Sequence, residues 1–262
     1  MNKKLRKILN SAAAVLFWLI ACEIIAVIID KEILLPTPIK VIQRLFGLFA
    51  ETEFYLSVFS SLLRITSGYL IGIIVGCILA YAAFFSKTIK TLLSPMLTVI
   101  RATPVASFII LALFWMGKSL VPVFTSFLMV LPIIFSSIFR GLESTDKNLS
   151  EVADVFNFGF FRRLKLLYIP SSVPSFVSGA KTSLGLSWKA GIAAEVLCSL
   201  KHSIGGNVYS AKTYLESVDL MAWTLTVIII SLLLEALISA SLSAFIQKYT
   251  VSEVNEIVSR NQ

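Results

Sequence analysis

The sequence predicts an all-α, polytopic membrane protein with six transmembrane helices. Of its 262 residues, 57% are hydrophobic and 15% are charged, whereas soluble domains average roughly 45–50% and about 25%. The mean hydropathy is +0.87, and several apolar runs reach the roughly 20 residues that cross a bilayer. These observations exclude a soluble globular protein with a large core.

Six apolar segments account for the predicted spans. They are Ala12–Ile29, Ile65–Phe85, Leu92–Trp115, Val121–Phe139, Val173–Leu197 and Met221–Ile246. The first follows a basic stretch and is interpreted as an uncleaved signal-anchor helix, because no small-residue cleavage site follows it. Residues 1–262 are predicted to form a single transmembrane domain.

The distribution of Lys and Arg between the loops predicts that both termini are cytoplasmic. The cytoplasmic side receives the larger group, Lys3, Lys4, Arg6, Lys7, Lys87, Lys90, Arg140, Lys147, Arg162, Arg163, Lys165, Lys248 and Arg260. The outer side receives the smaller group, Lys31, Lys40, Arg44, Lys118, Lys201 and Lys212. The net charge of +8 is thus scattered around apolar spans, and a nucleic-acid partner is not expected.

After the first span, the segment Ile39–Glu51 has an amphipathic pattern. Its apolar face consists of Ile39, Ile42, Leu45, Phe46 and Phe49. This spacing indicates a helix along the outer membrane surface, or an amphipathic helix packed on the bundle.

The second span contains small residues at every fourth position, namely Gly68, Gly72, Gly76 and Ala80. Such a stripe allows another helix to approach closely. Packing within one chain is favoured over a subunit interface.

The third and fifth spans carry charges that lipid does not tolerate. Arg101 lies between Pro95 and Pro104 in the third span, and Lys189 and Glu195 lie in the fifth. Arg101, Pro104, Lys189 and Glu195 are candidates for lining a substrate pathway. The alternative is pairing for stability, with Glu23 and Glu235 as further candidate partners, while Lys181 is close enough to a helix end to snorkel.

Catalytic and metal-binding groups are not expected. The only His is His202, and Cys22, Cys77 and Cys198 have neither metal-site nor disulfide spacing. Neither a nucleophile–base pair nor a Walker A pattern is visible in the sequence.

Residues 147–170 form a polar, helix-prone loop between the fourth and fifth spans. Asn148 and Ser150 are candidate helix caps, and Glu151 and Asp154 suit the positive end of the helix dipole. Apolar side chains at Val152, Val155, Phe156, Phe158 and Phe160 favour docking of this helix in a groove. The alternative is a helix on the inner leaflet, attracted through Arg162, Arg163 and Lys165.

This loop resembles the EAA motif of ABC-transporter permeases, which reads Glu-Ala-Ala, three residues, Gly, nine residues and Ile-x-Leu-Pro. Here the motif is Glu151-Val152-Ala153, three residues, Asn157, nine residues and Leu167-Tyr168-Ile169-Pro170. Asn157 replaces the family's Gly, and Asn is the residue that next best tolerates a left-handed backbone. A turn at Gly159 would be a competing register.

Other stretches resemble the nitrate, sulfonate and taurine branch of these permeases. They are Leu35-Pro36-Thr37-Pro38, Arg101-Ala102-Thr103-Pro104 with Phe114–Gly117, and the segments Pro170–Pro174, Gly179–Lys181, Ser187-Trp188 and Ala194-Glu195. The resemblance runs from about residue 35 to the end of the sixth span.

The resemblance implies a type I ABC importer permease-like fold in the bacterial cytoplasmic membrane. The expected partners are a second permease copy, two cytoplasmic ATPase subunits that bind ATP and Mg, and an external substrate-binding protein. Glu151, Val152, Ala153, Phe156, Asn157, Gly159 and Pro170 would couple the permease to the ATPase, with Glu151 and Ala153 beginning the helix and Phe156 as its anchor. The expected solute is a sulfonate-, nitrate- or taurine-like anion or a molecule similar to a thiamine precursor. A channel and a membrane-embedded enzyme, neither driven by ATP, are the alternatives.

Overall fold

The computed structural model describes residues 3–260, with side chains described for residues 13, 14 and 16–241, and it contains helices and no strands over this range. The helices are α1 (Lys3–Ile29), α2 (Pro38–Leu48), α3 (Thr52–Phe85), α4 (Lys87–Ala102), α5 (Val105–Trp115), α6 (Val121–Glu143), α7 (Lys147–Val155), α8 (Phe160–Arg163), a π-helical turn (Leu164–Tyr168), α9 (Ile169–Cys198), α10 (Ile204–Thr213) and α11 (Ser217–Arg260). The all-α prediction is confirmed.

Side-chain caps fix several helix starts. The hydroxyls of Thr37, Ser86 and Ser203 accept backbone N–H groups at the starts of α2, α4 and α10. Pro38 is the first residue of α2, where its missing N–H removes no intrahelical bond. The sequence therefore encodes these boundaries locally.

Contacts divide the chain into two compact units. The first contains residues 1–61 and 199–229, and the second contains residues 62–198 and 230–262. The helices α3 and α11 each contribute to both units.

In the first unit, α2 presents one buried and one exposed apolar face. Val41, Leu45 and Leu48 are buried, whereas Ile39 and Phe46 are exposed. Arg44 fastens α2 to the start of α11, because its Nε and Nη2 atoms lie 2.5 and 2.9 Å from the Asp219 carboxylate. This hydrogen bond to Asp219 raises the pKa of the Arg44 guanidinium further above its usual range.

The second unit is built around the antiparallel neighbours α6 and α9, which contact each other extensively. The core residues are Tyr69, Ala80, Val130, Ile134, Ile138, Leu142, Ala180 and Leu184. The Tyr69 hydroxyl donates a hydrogen bond of 3.0 Å to the Ala180 carbonyl, which satisfies a polar group inside this core.

The small-residue stripe of α3 packs within the chain, as predicted. A Cβ atom added at Gly68 would lie 2.2 Å from the Val123 carbonyl oxygen, and one added at Gly72 would lie 2.7 Å from the Val130 Cβ atom. At Gly76 the corresponding distance to the Ile134 Cβ atom is 3.0 Å. These three glycines therefore allow α3 and α6 to touch along their backbones.

The predicted spans are recovered in part. Three helices in the described chain are long and apolar enough to cross a bilayer, namely Thr52–Phe85, Val121–Glu143 and Ser217–Ser241. The predicted third span is not one straight helix, because α4 and α5 meet at a bend of 107°. Counted as one broken span, this pair makes a fourth.

The other two predicted spans differ from these. Leu16–Ile29 is the part of α1 with continuously described side chains, and it is apolar over that range. The long α9 is largely buried among its neighbours and is not among the strongly apolar spans. The terminal basic groups Lys3, Lys4, Arg6, Lys7, Lys248 and Arg260 and the end of the sixth span lie outside the described side chains.

Candidate functional site

The loop between α6 and α9 begins with a capped helix. The Asp146 carboxylate accepts a hydrogen bond of 2.9 Å from the Asn148 N–H group and caps α7. The prediction that Asn148 or Ser150 caps this helix is wrong, because the helix already begins at Lys147. Glu151 is consequently inside α7, one turn after its start, and does not begin it.

Asn157 makes the turn that ends this helix. Its φ angle is +47°, in the left-handed region, where Asn is tolerated better than most residues. The Phe158 N–H group then donates a hydrogen bond of 2.9 Å to the Ala153 carbonyl, as in the common helix C-terminal turns. Gly159 has a φ angle of −65°, so the register predicted from Asn157 is confirmed and the one from Gly159 is wrong.

Arg163 holds α7 and α8 together. Its Nη2 atom lies 2.5 Å from the Asp154 carboxylate, and its Nε atom donates a hydrogen bond of 2.9 Å to the Phe158 carbonyl. The guanidinium of Arg162 lies 4.2 Å from the centre of the Phe158 ring, a cation–π arrangement. These contacts join α7 to α8 and the residues between them.

A π-helical turn leads from this loop into α9. It covers Leu164–Tyr168, and the Ile169 N–H group bonds to the Leu164 carbonyl five residues back. Pro170 follows directly, and a proline ring clashes with the carbonyl four residues before it in a regular helix. The wider turn relieves that clash, which gives Pro170 a structural role in setting the start of α9.

The loop exposes an apolar surface at the end of α7. The side chains of Val155 and Phe156 are 78% and 68% exposed, and Val152 is about half exposed. Ala153 is instead buried, so it contributes to packing against the rest of the unit. An exposed aromatic on a rigid helix end is suited to a groove on another protein.

Glu195 is fully buried in α9, and its Oε1 atom lies 3.5 Å from Nη1 of Arg64 on α3. Glu23 and Glu235 were the predicted further counter-charges, and the sequence pattern did not indicate this pair. A carboxylate in the interior requires a cation at the same depth, and Arg64 was already visible near the start of the second span. Glu195 is therefore paired inside the fold, and its place among the candidate pathway residues stays a prediction.

Lys189 lies in a different environment on the same helix. Together with Lys181 and Glu235 it borders an open cavity of about 410 Å³, lined also by Thr182, Leu184, Gly185, Leu186, Ile238 and Ser239. In the described part of the chain, neither lysine forms a salt bridge with a carboxylate. Lys181, Lys189 and Glu235 thus border a space large enough for a small solute.

Arg101 is tethered to α6 near the bend between α4 and α5. Its Nη2 atom donates hydrogen bonds to the Pro132 carbonyl, at 3.0 Å, and to the Ser136 hydroxyl. An acidic partner was one predicted possibility, but its partners in the described chain are neutral. Pro104 lies at the break itself, immediately before α5, where its missing N–H group suits a helix start.

Comparison with known proteins defines the class. The sequence profile of the binding-protein-dependent transport system inner membrane component family matches residues 68–251. A Bacillus subtilis protein named for aliphatic sulfonates transport permease activity is 26% identical over 188 residues, which are 70% of this chain and 66% of that protein. The formylaminopyrimidine transport permease protein of Halalkalibacterium halodurans is 28% identical over 177 residues, or 66% of this chain and 69% of that protein.

Among solved structures, a crystal structure of an amino acid ABC transporter with histidines superposes with a TM-score of 0.60. The identity is 16%, and the match covers 75% of this chain and 94% of that one, so this likeness supports the fold alone.

A helical membrane protein with an EAA-type loop of this geometry is a transport permease. The chain belongs to the binding-protein-dependent transport system inner membrane component family. It is a multi-pass, non-catalytic permease subunit of the ABC importer class, which sets aside the channel and enzyme alternatives.

Proposed function

We propose that this chain forms the substrate pathway of an ATP-driven importer for a small solute. The observation that supports this proposal most directly is the loop at residues 147–170. It exposes Phe156 at the end of a helix that Asn157 terminates. On this proposal residues 1–262 are one six-span permease domain with both termini in the cytoplasm of a bacterial cell, and the loop is its cytoplasmic coupling segment.

The coupling segment docks on an ATPase subunit. Phe156 and Val155 enter a groove of that subunit, while Asp146, Asn157 and Arg163 keep the helix rigid. A rigid helix in a groove transmits the movement of the ATPase to α6 and α9, which flank the loop. ATP and Mg are bound by two such ATPase subunits, and a homodimer of the permease is the simplest twofold assembly.

The solute passes the cavity bordered by Lys181, Lys189 and Glu235. Its two ammonium groups favour an anion or a molecule with an acidic group, which agrees with the aliphatic sulfonates in the name of one relative. The formylaminopyrimidine in the name of another relative makes a thiamine-precursor-like solute the second candidate. An external binding protein delivers the solute in either case.

The first test is recovery of the tagged chain from its native membrane, with mass spectrometry of the proteins that accompany it. We expect a stoichiometric ATPase with the unmodified chain and its loss with Phe156→Asp, because a carboxylate is costly to bury in an apolar groove. Tyr214→Asp is the matched control, since Tyr214 is equally exposed at the end of α10.

The outcomes separate two parts of the proposal. An unmodified chain recovered without any ATPase would refute the importer assembly. An ATPase that accompanies both variants equally would leave the assembly intact and show that Phe156 is not the anchor.

A further inference from the structure

We propose that the surface beside the coupling segment binds an anionic phospholipid of the inner leaflet. This surface, which we call the collar, consists of Phe85, Lys87, Phe161, Arg162, Lys165 and Leu166. The inference rests on the proposed membrane placement of α3 and concerns a ligand other than the transported solute.

The position of the collar follows from α3. Ile71, Ile74, Ile78 and Phe85 are all exposed, and their spacing places them on one side of a 3.6-residue helix. Phe85 is the last residue of α3, the first of the strongly apolar spans. The stripe has the composition of a lipid-facing surface, and Phe85 marks the depth at which it reaches the headgroups.

The loop is anchored at this same depth. The Phe160 ring packs 5.1 Å from the Phe85 ring, and the Tyr168 ring packs 5.5 Å from it, both edge to face. The α8 helix and the π-helical turn are therefore fixed at the end of the lipid-facing stripe. Phe161, next to Phe160, is 81% exposed and continues the apolar surface beyond Phe85.

The outer face of this segment combines apolar and basic side chains. Phe161, Arg162, Lys165 and Leu166 are all exposed, whereas Leu167 is buried beneath them. Phe161 and Lys165 are four residues apart, as are Arg162 and Leu166, so each pair shares a face. Aromatic rings at the headgroup level flanked by Lys and Arg are typical of an interfacial membrane surface.

Within the described residues, the basic side chains of the collar form no salt bridge, whereas two neighbouring basic side chains do. Arg163 is neutralised by Asp154 at 2.5 Å, and Lys90 by Glu143 at 3.2 Å. Within the described residues, Lys87, Arg162 and Lys165 form no salt bridge. Three unneutralised cations beside an apolar surface complement a phosphate headgroup and its acyl chains.

The occupant that fits is a lipid and not the ATPase, because the collar continues the lipid-facing stripe of α3. The anchor proposed for the ATPase is Phe156, on the other helix of the loop. A lipid bound here would join the end of α3 to the segment that leads into α9, and so steady the coupling segment.

The test compares lipid retention by the purified full chain. The chain is incorporated into nanodiscs of equal parts phosphatidylglycerol and phosphatidylcholine with identical acyl chains, and bound lipid is measured by native mass spectrometry. We expect preferential retention of phosphatidylglycerol, which falls about fivefold for each of Lys87→Gln and Lys165→Gln. Lys90→Gln is the matched control, because it removes a charge at the same end that Glu143 already neutralises.

Equal retention of the two lipids, or an unchanged preference in the Lys87→Gln/Lys165→Gln double variant, would overturn the proposal. So would displacement of the lipid by millimolar inorganic phosphate, which would indicate a site for free phosphate. Loss of the ATPase with unchanged lipid preference in the double variant would assign the collar to the ATPase instead. ATPase loss is scored separately, by recovery of the double variant from its native membrane. The lipid measurement itself needs no ATPase, so its result is independent of the test of the importer assembly.

Discussion

The helix α9 carries two charged residues, Lys189 and Glu195, which lie six positions apart in different surroundings. Near Glu195, α9 is buried, and the carboxylate is paired with Arg64 at 3.5 Å. Near Lys189, α9 borders an open cavity, which Lys181 and Glu235 also line. The two charges on α9 therefore have different surroundings: Glu195 has a cationic partner, and Lys189 borders a cavity.

Two glycines of α9, Gly191 and Gly185, show a similar difference in their surroundings. A Cβ atom at Gly191 would lie 2.6 Å from the Ile65 Cγ1 atom and 2.8 Å from the Ser126 Oγ atom. At Gly185 it would lie 2.9 Å from the Glu235 Oε1 atom, the end of a flexible side chain. One region of α9 is packed without spare room, and the other has room to adjust.

The largest expected effect is at Glu195. Glu195→Ala should lower the free energy of unfolding by about 3–5 kcal/mol, because it leaves the Arg64 guanidinium without its counter-charge. Reversible unfolding in detergent, followed by circular dichroism, measures this loss. The double variant Arg64→Met/Glu195→Leu should lose less than Glu195→Ala alone. A double variant whose loss of unfolding free energy equals the sum of the losses of the two single variants would mean that the two groups are not coupled. The contrast between Glu195 and Lys189 would then not hold.

Substitutions at Gly191 and Gly185 test whether the two regions of α9 differ in packing. Gly191→Ala should cost about 1–3 kcal/mol of unfolding free energy by overpacking. Gly185→Ala should be close to neutral, since the helix gains roughly 0.5–1 kcal/mol from losing a glycine and Glu235 can move. The same unfolding measurement applies to both. Equal losses at the two positions would contradict the difference in packing.

The smallest expected effect is on transport at Lys189. Lys189→Gln should reduce solute-stimulated ATP hydrolysis in proteoliposomes about tenfold, because a charged hydrogen-bond donor to the solute is lost, while stability stays unchanged. Lys189→Arg should retain more activity than Lys189→Gln, and Lys90→Gln should behave like the unmodified chain. Unaltered kinetics in the charge-reversing variant Lys189→Glu would remove Lys189 from the pathway.

Much of the fold was predictable because its signals are local. Apolar runs predict helices, four-residue spacing of Gly68, Gly72 and Gly76 predicts close packing, and Asn157 predicts a left-handed turn. Each depends on residues within a few turns of one another. Pro104 lies at the bend between α4 and α5, which was not predicted, and the size of that bend, 107°, depends on how neighbouring helices hold both arms.

The coupling segment was found through its motif, yet parts of its geometry were not. The cap at Asp146 lies before the motif begins, and the helix therefore starts earlier than predicted. The burial of Ala153 and the exposure of Phe156 depend on which side of α7 faces the rest of the unit, and periodicity alone does not select that side.

Composition, periodicity and motif spacing are properties of the linear chain. They therefore sufficed to predict that this chain is helical, crosses membranes and carries the EAA-type loop of a transport permease. The pairing of charges could not be predicted in this way, because it depends on how the helices pack. Arg64 and Glu195 are distant in sequence, and Lys181, Lys189 and Glu235 meet at one cavity only when α9 and α11 are in place. Pairing free energies depend on distance and burial, and both are set by the packing of whole helices.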